Sequence, residues 1–274
     1  MSKLDAYAVI GNPISHSKSP LIHTAFAQQT DQAMRYDAIL SPQNEFQQTV
    51  SSFHQQGGKG INVTVPFKIE AYELATHLTK RAQMAQAVNT LKFEDHEILG
   101  DNTDGAGLVC DITKNLNIPI EAKRILLMGA GGAARGVILP ILQHNPTILA
   151  IANRTPQKAQ ALQQQFATHG EIVAGEFMDF SGEQFDIIIN ATSASLHDAL
   201  PALPERIFAN NSLAYDMMYS LEPTSFLLFA KQNGASHLAD GMGMLVEQAA
   251  ESFFLWRGIR PETKSVIAKL KQQA

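Results

Sequence analysis

The chain has 274 residues, 45% of them hydrophobic and 17% charged, with a formal net charge of −5. That is apolar material for two cores or one large one, too little charge for a disordered chain, and the wrong sign for general nucleic-acid binding, where a phosphate-tracking surface is basic. The single cysteine, Cys110, excludes an intramolecular disulfide and predicts an inert buried thiol in a reducing cytoplasm, while no signal peptide or membrane span is predicted.

The first strand is predicted over 6–11 (AYAVIG), followed by a helix over 19–29, a strand near 36–40 and a helix over 43–56. INVTV (61–65) and AVNTLKF (87–93) read as further strands. A turn-rich cluster, GDNTDG at 100–105, then breaks the pattern and predicts a domain boundary. Beyond it, a helix over 104–116 leads into strands at 124–129, 148–153, 171–175, 185–190 and 213–217, with helices over 133–144, 156–167 and 223–232 between them. The last long helix, 242–257, carries Leu245, Ala249, Phe253 and Trp256 at helical spacing. The pattern alone leaves it free to join either half. Strands alternating with helices of this length predict an α/β fold of βαβ units with a mostly parallel sheet.

Three segments carry chemistry. In INVTVPFK (61–68), alternate strand residues share a face, so Val63 and Val65 are predicted to look into a core while Asn62 and Thr64 line the opposite face, with Lys68 at its end. GNPISHSKSP (11–20) directly follows the first strand. In an extended segment the hydroxyls of Ser15 and Ser17 would point the same way and bind a carboxylate between them, with His16 facing away. RILLMGAGGAARG (124–136) runs from strand through glycine turn to helix. Gly129, Gly131 and Ala134 there fit a G-x-G-x-x-A dinucleotide turn, whose backbone N–H groups and helix N-terminus receive a pyrophosphate. At the end of the next strand, Asn153, Arg154 and Thr155, with Lys158 a turn later, replace the acidic residue that favours NAD; cations and hydrogen-bonding side chains there suit the 2′-phosphate of NADP.

GNPISHSKSP, GINVTVPFK, AVNT, DNTDG, GAGGAARG, NRT, NATS, YDMMY and GMGMLVEQA occur in this order, and together they resemble the shikimate dehydrogenase family over nearly the whole chain. The resemblance implies a two-domain α/β protein: a substrate domain (1–102), a Rossmann-type NADP-binding domain (103–238), and C-terminal helices (239–274) returning to the substrate domain. It implies reversible NADPH-dependent reduction of 3-dehydroshikimate to shikimate in aromatic amino acid biosynthesis. Position by position, it assigns Lys68 and Asp104 as the catalytic pair. Ser15, Ser17 and Thr64 would hold the carboxylate, with Asn62 beside them; Asn89 and Asp104 the ring hydroxyls; Tyr219 and Gln248 further substrate contacts. The cofactor would be met by Gly129, Ala130, Gly131, Gly132 and Ala133, by Asn153, Arg154, Thr155 and Lys158, and by Thr192, Met217 and Gly241.

The chain departs from the family pattern at Lys80, at Ala194-Ser195 after NATS, and at LEPTSF (221–226). A quinate-accepting or NAD-using relative, a catalytically silent NADP-binding module and a folate-linked dehydrogenase are the alternative readings. No metal is predicted, because the nine histidines are scattered without ligand spacing. A cytoplasmic monomer or homodimer acting on a small molecule, with no nucleic-acid or membrane partner, completes the expectation.

Overall fold

The computed structural model describes residues 4–95, 97–192, 203–220 and 222–272. The chain divides into two compact units, Met1–Gly107 with Val246–Lys269, and Leu108–Leu245 with Leu270–Ala274. In the first, β1 (Asp5–Gly11), α1 (Ser19–Gln29), β2 (Met34–Leu40), α2 (Phe46–Gln55), β3 (Gly58–Val63), α3 (Lys68–Leu74), β4 (His77–Leu78), α4 (Lys80–Ala85), β5 (Thr90–Glu94) and β6 (Glu97–Asp101) follow in sequence, and α5 (Asp104–Cys110) begins. In the second come β7 (Arg124–Met128), α6 (Gly132–Leu142), β8 (Ile148–Ala152), α7 (Pro156–Phe166), β9 (Ile172–Gly175), β10 (Phe185–Asn190), β11 (Phe208–Asp216), α8 (Ser225–Gln232) and β12 (His237–Ala239). The chain ends with α9 (Met242–Arg257) and α10 (Lys264–Gln272).

The first sheet has the order β2-β1-β3-β5-β6-β4. β1 is parallel to β2 and β3, but β5 runs antiparallel to both β3 and β6. The expectation of a strand over 87–93 in a parallel array is therefore corrected: the strand starts at Thr90 and runs back along β3. The expected strand over 61–65 likewise begins earlier and stops at Val63.

Alternation along β1 places the two cores of this unit. Ala6, Ala8 and Ile10 pack with Phe46, Phe53 and Phe67 on one face, and Tyr7 and Val9 pack with Tyr36 and Trp256 on the other. The second core exists because α9 returns to it. Phe253 is fully buried, and the Trp256 indole donates to the carbonyl of Leu91 at 3.0 Å and lies 4.8 Å from the Tyr7 ring. Burying two such aromatic side chains contributes roughly 2–3 kcal/mol each. The face that carries Asn62 is thus covered by protein, and Asn62 is buried. Val65 reverses its expectation too: past the end of β3 it is 66% exposed, since the chain turns there through Pro66 into α3.

The second sheet is parallel throughout, in the order β12-β11-β10-β7-β8-β9. β7 is central, and Ile125 to Met128 are all buried, as a strand covered on both faces requires. The helix expected over 104–116 is α5 followed by a π-helical turn, Asp111–Asn115. Cys110, between them, is half-buried.

Candidate active site

In the first unit, β1 feeds β2 on one side while β3 returns on the other, so the strand order reverses at β1 and β3. Ligands of open α/β sheets bind at the carboxyl ends of strands around such a reversal. The two segments emerging here are the serine loop after Gly11 and the Thr64–Lys68 turn after Val63. They are laced together: Asn12 N–H donates to the Val65 carbonyl at 3.0 Å and Thr64 N–H to Ile10 at 3.0 Å. A Cβ on Gly11 would collide with the Thr64 methyl, so this approach requires glycine.

The serine loop is not extended as expected. Ser15 and His16 form a turn closed by Ser17 N–H donating to the Ile14 carbonyl at 3.0 Å, and Ser17 Oγ accepts from Ser19 N–H at 3.3 Å at the start of α1. That leaves the Ser17 hydroxyl proton to donate outward. Ser15 and His16 are exposed.

Lys68 opens α3 and Asp104 opens α5, and they meet: Lys68 Nζ donates to Asp104 Oδ2 at 2.6 Å. The ammonium side chain is 31% exposed and the carboxylate 14%, so the pair is dry enough to be strong and open enough to be reached. The other carboxylate oxygen, Oδ1, accepts from Asn89 Nδ2 at 2.8 Å. Gln248, on α9, brings Oε1 to 3.3 Å from Asn89 Nδ2. Five assigned residues from separate stretches of chain, Asn62, Lys68, Asn89, Asp104 and Gln248, therefore join one hydrogen-bonded assembly, and Thr64 borders it through the turn that leads to Lys68. Asn62 lies beneath rather than at the surface of this assembly. Its Oδ1 accepts from the Tyr36 hydroxyl at 2.7 Å, and its Nδ2 faces Thr90 Oγ1, Ser252 Oγ and the Asn89 carbonyl at 3.0–3.2 Å.

The second unit holds the glycine turn. The strand order reverses between β7 and β10, and the residues that follow those strands meet there. Gly129 has φ +103°, the left-handed region that favours glycine, and a Cβ on it would sit 3.1 Å from the Thr192 methyl. Gly131 caps α6 without a side-chain hydrogen bond, and Cβ atoms on Gly131 and Gly132 would meet nothing within 4 Å. Among the described residues, nothing fills the space in front of the first-turn N–H groups, a cradle that fits a pyrophosphate. β8 ends alongside, with Gly129 N–H donating to Ala152 at 2.7 Å, and delivers Asn153, Arg154 and Thr155. Arg154, Thr155 and Lys158 are exposed. From β11 and β12 come Met217, whose N–H donates to the Asn190 carbonyl at 3.0 Å, and Gly241, whose N–H donates to Met218 at 2.9 Å. The assigned cofactor residues therefore gather at one edge of this sheet. Tyr219 is half-buried, and burial raises its pKa.

Of the departures, Lys80 opens α4 and its neighbour Arg81 turns out to matter. Arg81 grips Asp101, 1% exposed, with Nε at 2.7 Å and Nη2 at 2.5 Å, and reaches Glu251 on α9 at 3.2 Å. Burial opposes its charge, but the Asp101 hydrogen bonds outweigh that and raise its pKa. Ala194 and Ser195 lie outside the described residues. In LEPTSF, Thr224 caps α8 by accepting from Leu227 N–H and donates to Asp216 at 2.6 Å, which anchors the segment after Tyr219. Sequence reasoning passes over Thr90, Thr103 and Ser252, which surround Asn89. The signal was available for all three: the threonines stand inside AVNT and DNTDG, and Ser252 follows Gln248 by one helical turn on the same face. A shallow hollow of about 430 Å³ over α1 and β2, lined by His23, Gln28, Asp31, Met34 and Tyr36 among others, includes none of the assigned residues.

Comparison with known proteins gives a consistent result. Residues 9–91 match the shikimate dehydrogenase substrate binding domain, 111–202 the shikimate/quinate 5-dehydrogenase domain, and 241–271 the shikimate 5′-dehydrogenase C-terminal domain. The shikimate dehydrogenase (NADP(+)) of Nitrosomonas eutropha is 62% identical over 271 residues, 98% of each chain. Among solved structures, an Ael1 enzyme from Pseudomonas putida superposes with a TM-score of 0.92 at 49% identity, covering 97% of this chain and 98% of its own. Shikimate 5-dehydrogenase of Thermus thermophilus, solved with NADP(H) and shikimate, gives 0.86 at 29% identity, covering 98% of this chain and 99% of its own. Half-buried ammonium and carboxylate, glycine cradle and near-complete similarity lead to one conclusion: the chain belongs to the shikimate dehydrogenase family.

Proposed function

We propose that the protein catalyses the reversible, NADPH-dependent reduction of 3-dehydroshikimate to shikimate, on the path to the aromatic amino acids. The observation that carries this reading is the 2.6 Å pair of Lys68 and Asp104 at the strand ends of the first sheet, beside the serine turn. The first unit serves as substrate domain and the second as a Rossmann-type NADP domain.

Bound NADPH would supply the hydride and leave as NADP+, and oxidation of shikimate would return it. The protein's own groups do the rest. Lys68 donates a hydrogen bond to the reacting oxygen, stabilises it as negative charge develops, and holds at Nζ the proton that the alkoxide takes up. Asp104 accepts from the neighbouring ring hydroxyl and keeps the ammonium in place. Asn89 orients that carboxylate and meets a ring hydroxyl, while Gln248 and Tyr219 supply further contacts. Ser15, Ser17 and Thr64 offer hydroxyl donors to the substrate carboxylate, and Asn62 supports this wall from below. Gly129 to Ala133 take the pyrophosphate. Arg154 and Lys158, with Asn153 and Thr155, would hold the 2′-phosphate; Met217 and Gly241 would line the nicotinamide, and Thr192 would add a further cofactor contact. The enzyme is placed in the cytoplasm, as a monomer or homodimer; the lone cysteine supports a reducing compartment.

The test pairs shikimate or quinate with NADP or NAD and follows reduced nicotinamide by absorbance. Shikimate with NADP is expected to give the highest kcat/KM. Absence of NADP reduction by shikimate overturns the reading, and equal rates with quinate or NAD would redraw its specificity.

A further inference from the structure

We infer that Thr90, backed by Asn62 and Ser252, is a positioning residue for this reaction: it fixes the orientation of the Asn89 side-chain amide so that its N–H group meets Asp104. The inference rests on the function proposed above.

An asparagine amide has two ends of nearly equal shape and opposite hydrogen-bonding character. At Asn89 the nitrogen end lies 2.8 Å from Asp104 Oδ1, and the oxygen end accepts from Thr103 N–H at 2.9 Å and from Thr90 Oγ1 at 3.0 Å. Rotated by half a turn, the amide would set its carbonyl oxygen against the carboxylate. Opposing that rotation are the Thr103 backbone N–H, which cannot turn, and the Thr90 hydroxyl, which can; the Thr103 hydroxyl, 3.2 Å from Oδ1 and 2.9 Å from Nδ2, can serve either end of the amide.

What makes Thr90 point at Asn89 is the supply of donors behind it. Tyr36 O–H donates to Asn62 Oδ1 at 2.7 Å, so Asn62 must present its NH₂ to the opposite side. There Nδ2 lies 3.1 Å from Thr90 Oγ1 and 3.0 Å from Ser252 Oγ. Ser252 Oγ is 2.8 Å from Thr90 Oγ1, closer than the Gln248 carbonyl at 3.0 Å or Thr103 Oγ1 at 3.3 Å. A hydroxyl has one proton and two lone pairs. Asn62 Nδ2 can only donate to Thr90 and Asn89 Oδ1 can only accept from it, so when Ser252 donates to Thr90 both lone pairs are taken and the Thr90 proton goes to Asn89. Every donor from Tyr36 onward then points toward Asp104, and successive bonds in such a chain strengthen one another. Thr90, Thr103 and Ser252 are fully buried, and Asn62 and Asn89 nearly so. Water is therefore absent as a substitute for a lost donor.

The same contacts also pin α9 to the sheet, so the experiment must separate orientation from packing. Thr90→Val keeps the shape and removes the donor; Thr90→Ser keeps the donor and removes a methyl. The expected result is that Thr90→Val lowers kcat/KM for shikimate about tenfold or more, leaves KM for NADP within about twofold, and that Thr90→Ser stays within about threefold of wild type. Independently of turnover, the Asn89 side-chain ¹H–¹⁵N pair is expected to exchange slowly with solvent in wild type and Thr90→Ser, and quickly in Thr90→Val. Wild-type kcat/KM in Thr90→Val, an equal fall in Thr90→Ser, or unchanged Asn89 exchange in Thr90→Val each overturns the inference. Should the wild-type protein fail to oxidise shikimate, the proposed function falls by itself, and the Asn89 exchange rates alone decide whether Thr90 positions the amide.

Discussion

Lys68 contributes most where charge develops on the reacting oxygen, so its removal should strike turnover rather than ground-state binding. Lys68→Ala is expected to lower kcat by about 10²–10⁴ while KM for shikimate changes little; steady-state kinetics with NADP checks it. A second residue, packed beneath the site wall, makes stability depend on pH. His23 is fully buried and stacked 4.2 Å from the Tyr36 ring, and among the described residues neither ring nitrogen has a hydrogen-bond partner within bonding geometry. Burial, weakly opposed by the nearby Asn62 side chain, pushes its pKa down to about 3 from 6.5. The unfolded chain therefore binds a proton below pH 6.5 that the folded protein refuses until about pH 3, and stability falls as pH falls through that window. Between pH 7 and pH 5 the imidazole should remove about 2 kcal/mol. Denaturant titrations of His23→Phe across this range are expected to be flatter than wild type by that amount.

At the scale of elements, α9 is held by more than its apolar face. Arg81 joins β6 to α9 by gripping Asp101 and Glu251, and Arg260, past the end of α9, also reaches Glu251, at 2.5 Å. Removing Arg81 would strand the Asp101 carboxylate, 1% exposed, without its cation. Arg81→Ala should cost about 3–5 kcal/mol in equilibrium unfolding. Elements were legible in the sequence where their pattern was local. The glycine turn and β7, β8, β9 and β10 stand in contiguous runs, the end of β11 stands in another, and α1 ends at Gln29 as expected. β4, β6 and β12 are not legible, because strands of two to five residues leave no period to count. Asn62 shows the deeper limit. Its alternation predicts a polar wall opposite the core, but the helix that covers Asn62 lies 190 positions later, and no local pattern announces that. The serine loop was misread for a different reason: a backbone turn at Ser15 and His16 carries no glycine to mark it.

At the scale of the molecule, the first unit is assembled from two distant parts of the chain, and the passages between the units fall inside α5, α9 and α10. The Asn89 and Asp104 cluster is complete only with Gln248 and Ser252, and the second core of that unit only with Phe253 and Trp256. A chain ending at Ala239 should therefore lose more than a terminal helix. Its first unit is expected to expose Tyr7, Val9 and Tyr36 and to bind a hydrophobic dye, while wild type does not; fluorescence of the purified truncation checks this.

Tyr7 and Arg257 touch across a separation of 250 positions. Linking such distant points adds little to the entropy of closing the loop, since that cost grows only with the logarithm of its length. It does impose a timetable. On the ribosome, the earliest strand must wait for nearly the whole polypeptide to be translated before its aromatic neighbour arrives, while the intervening unit already has every strand it needs. Nascent chains of this protein should thus acquire their middle before their beginning.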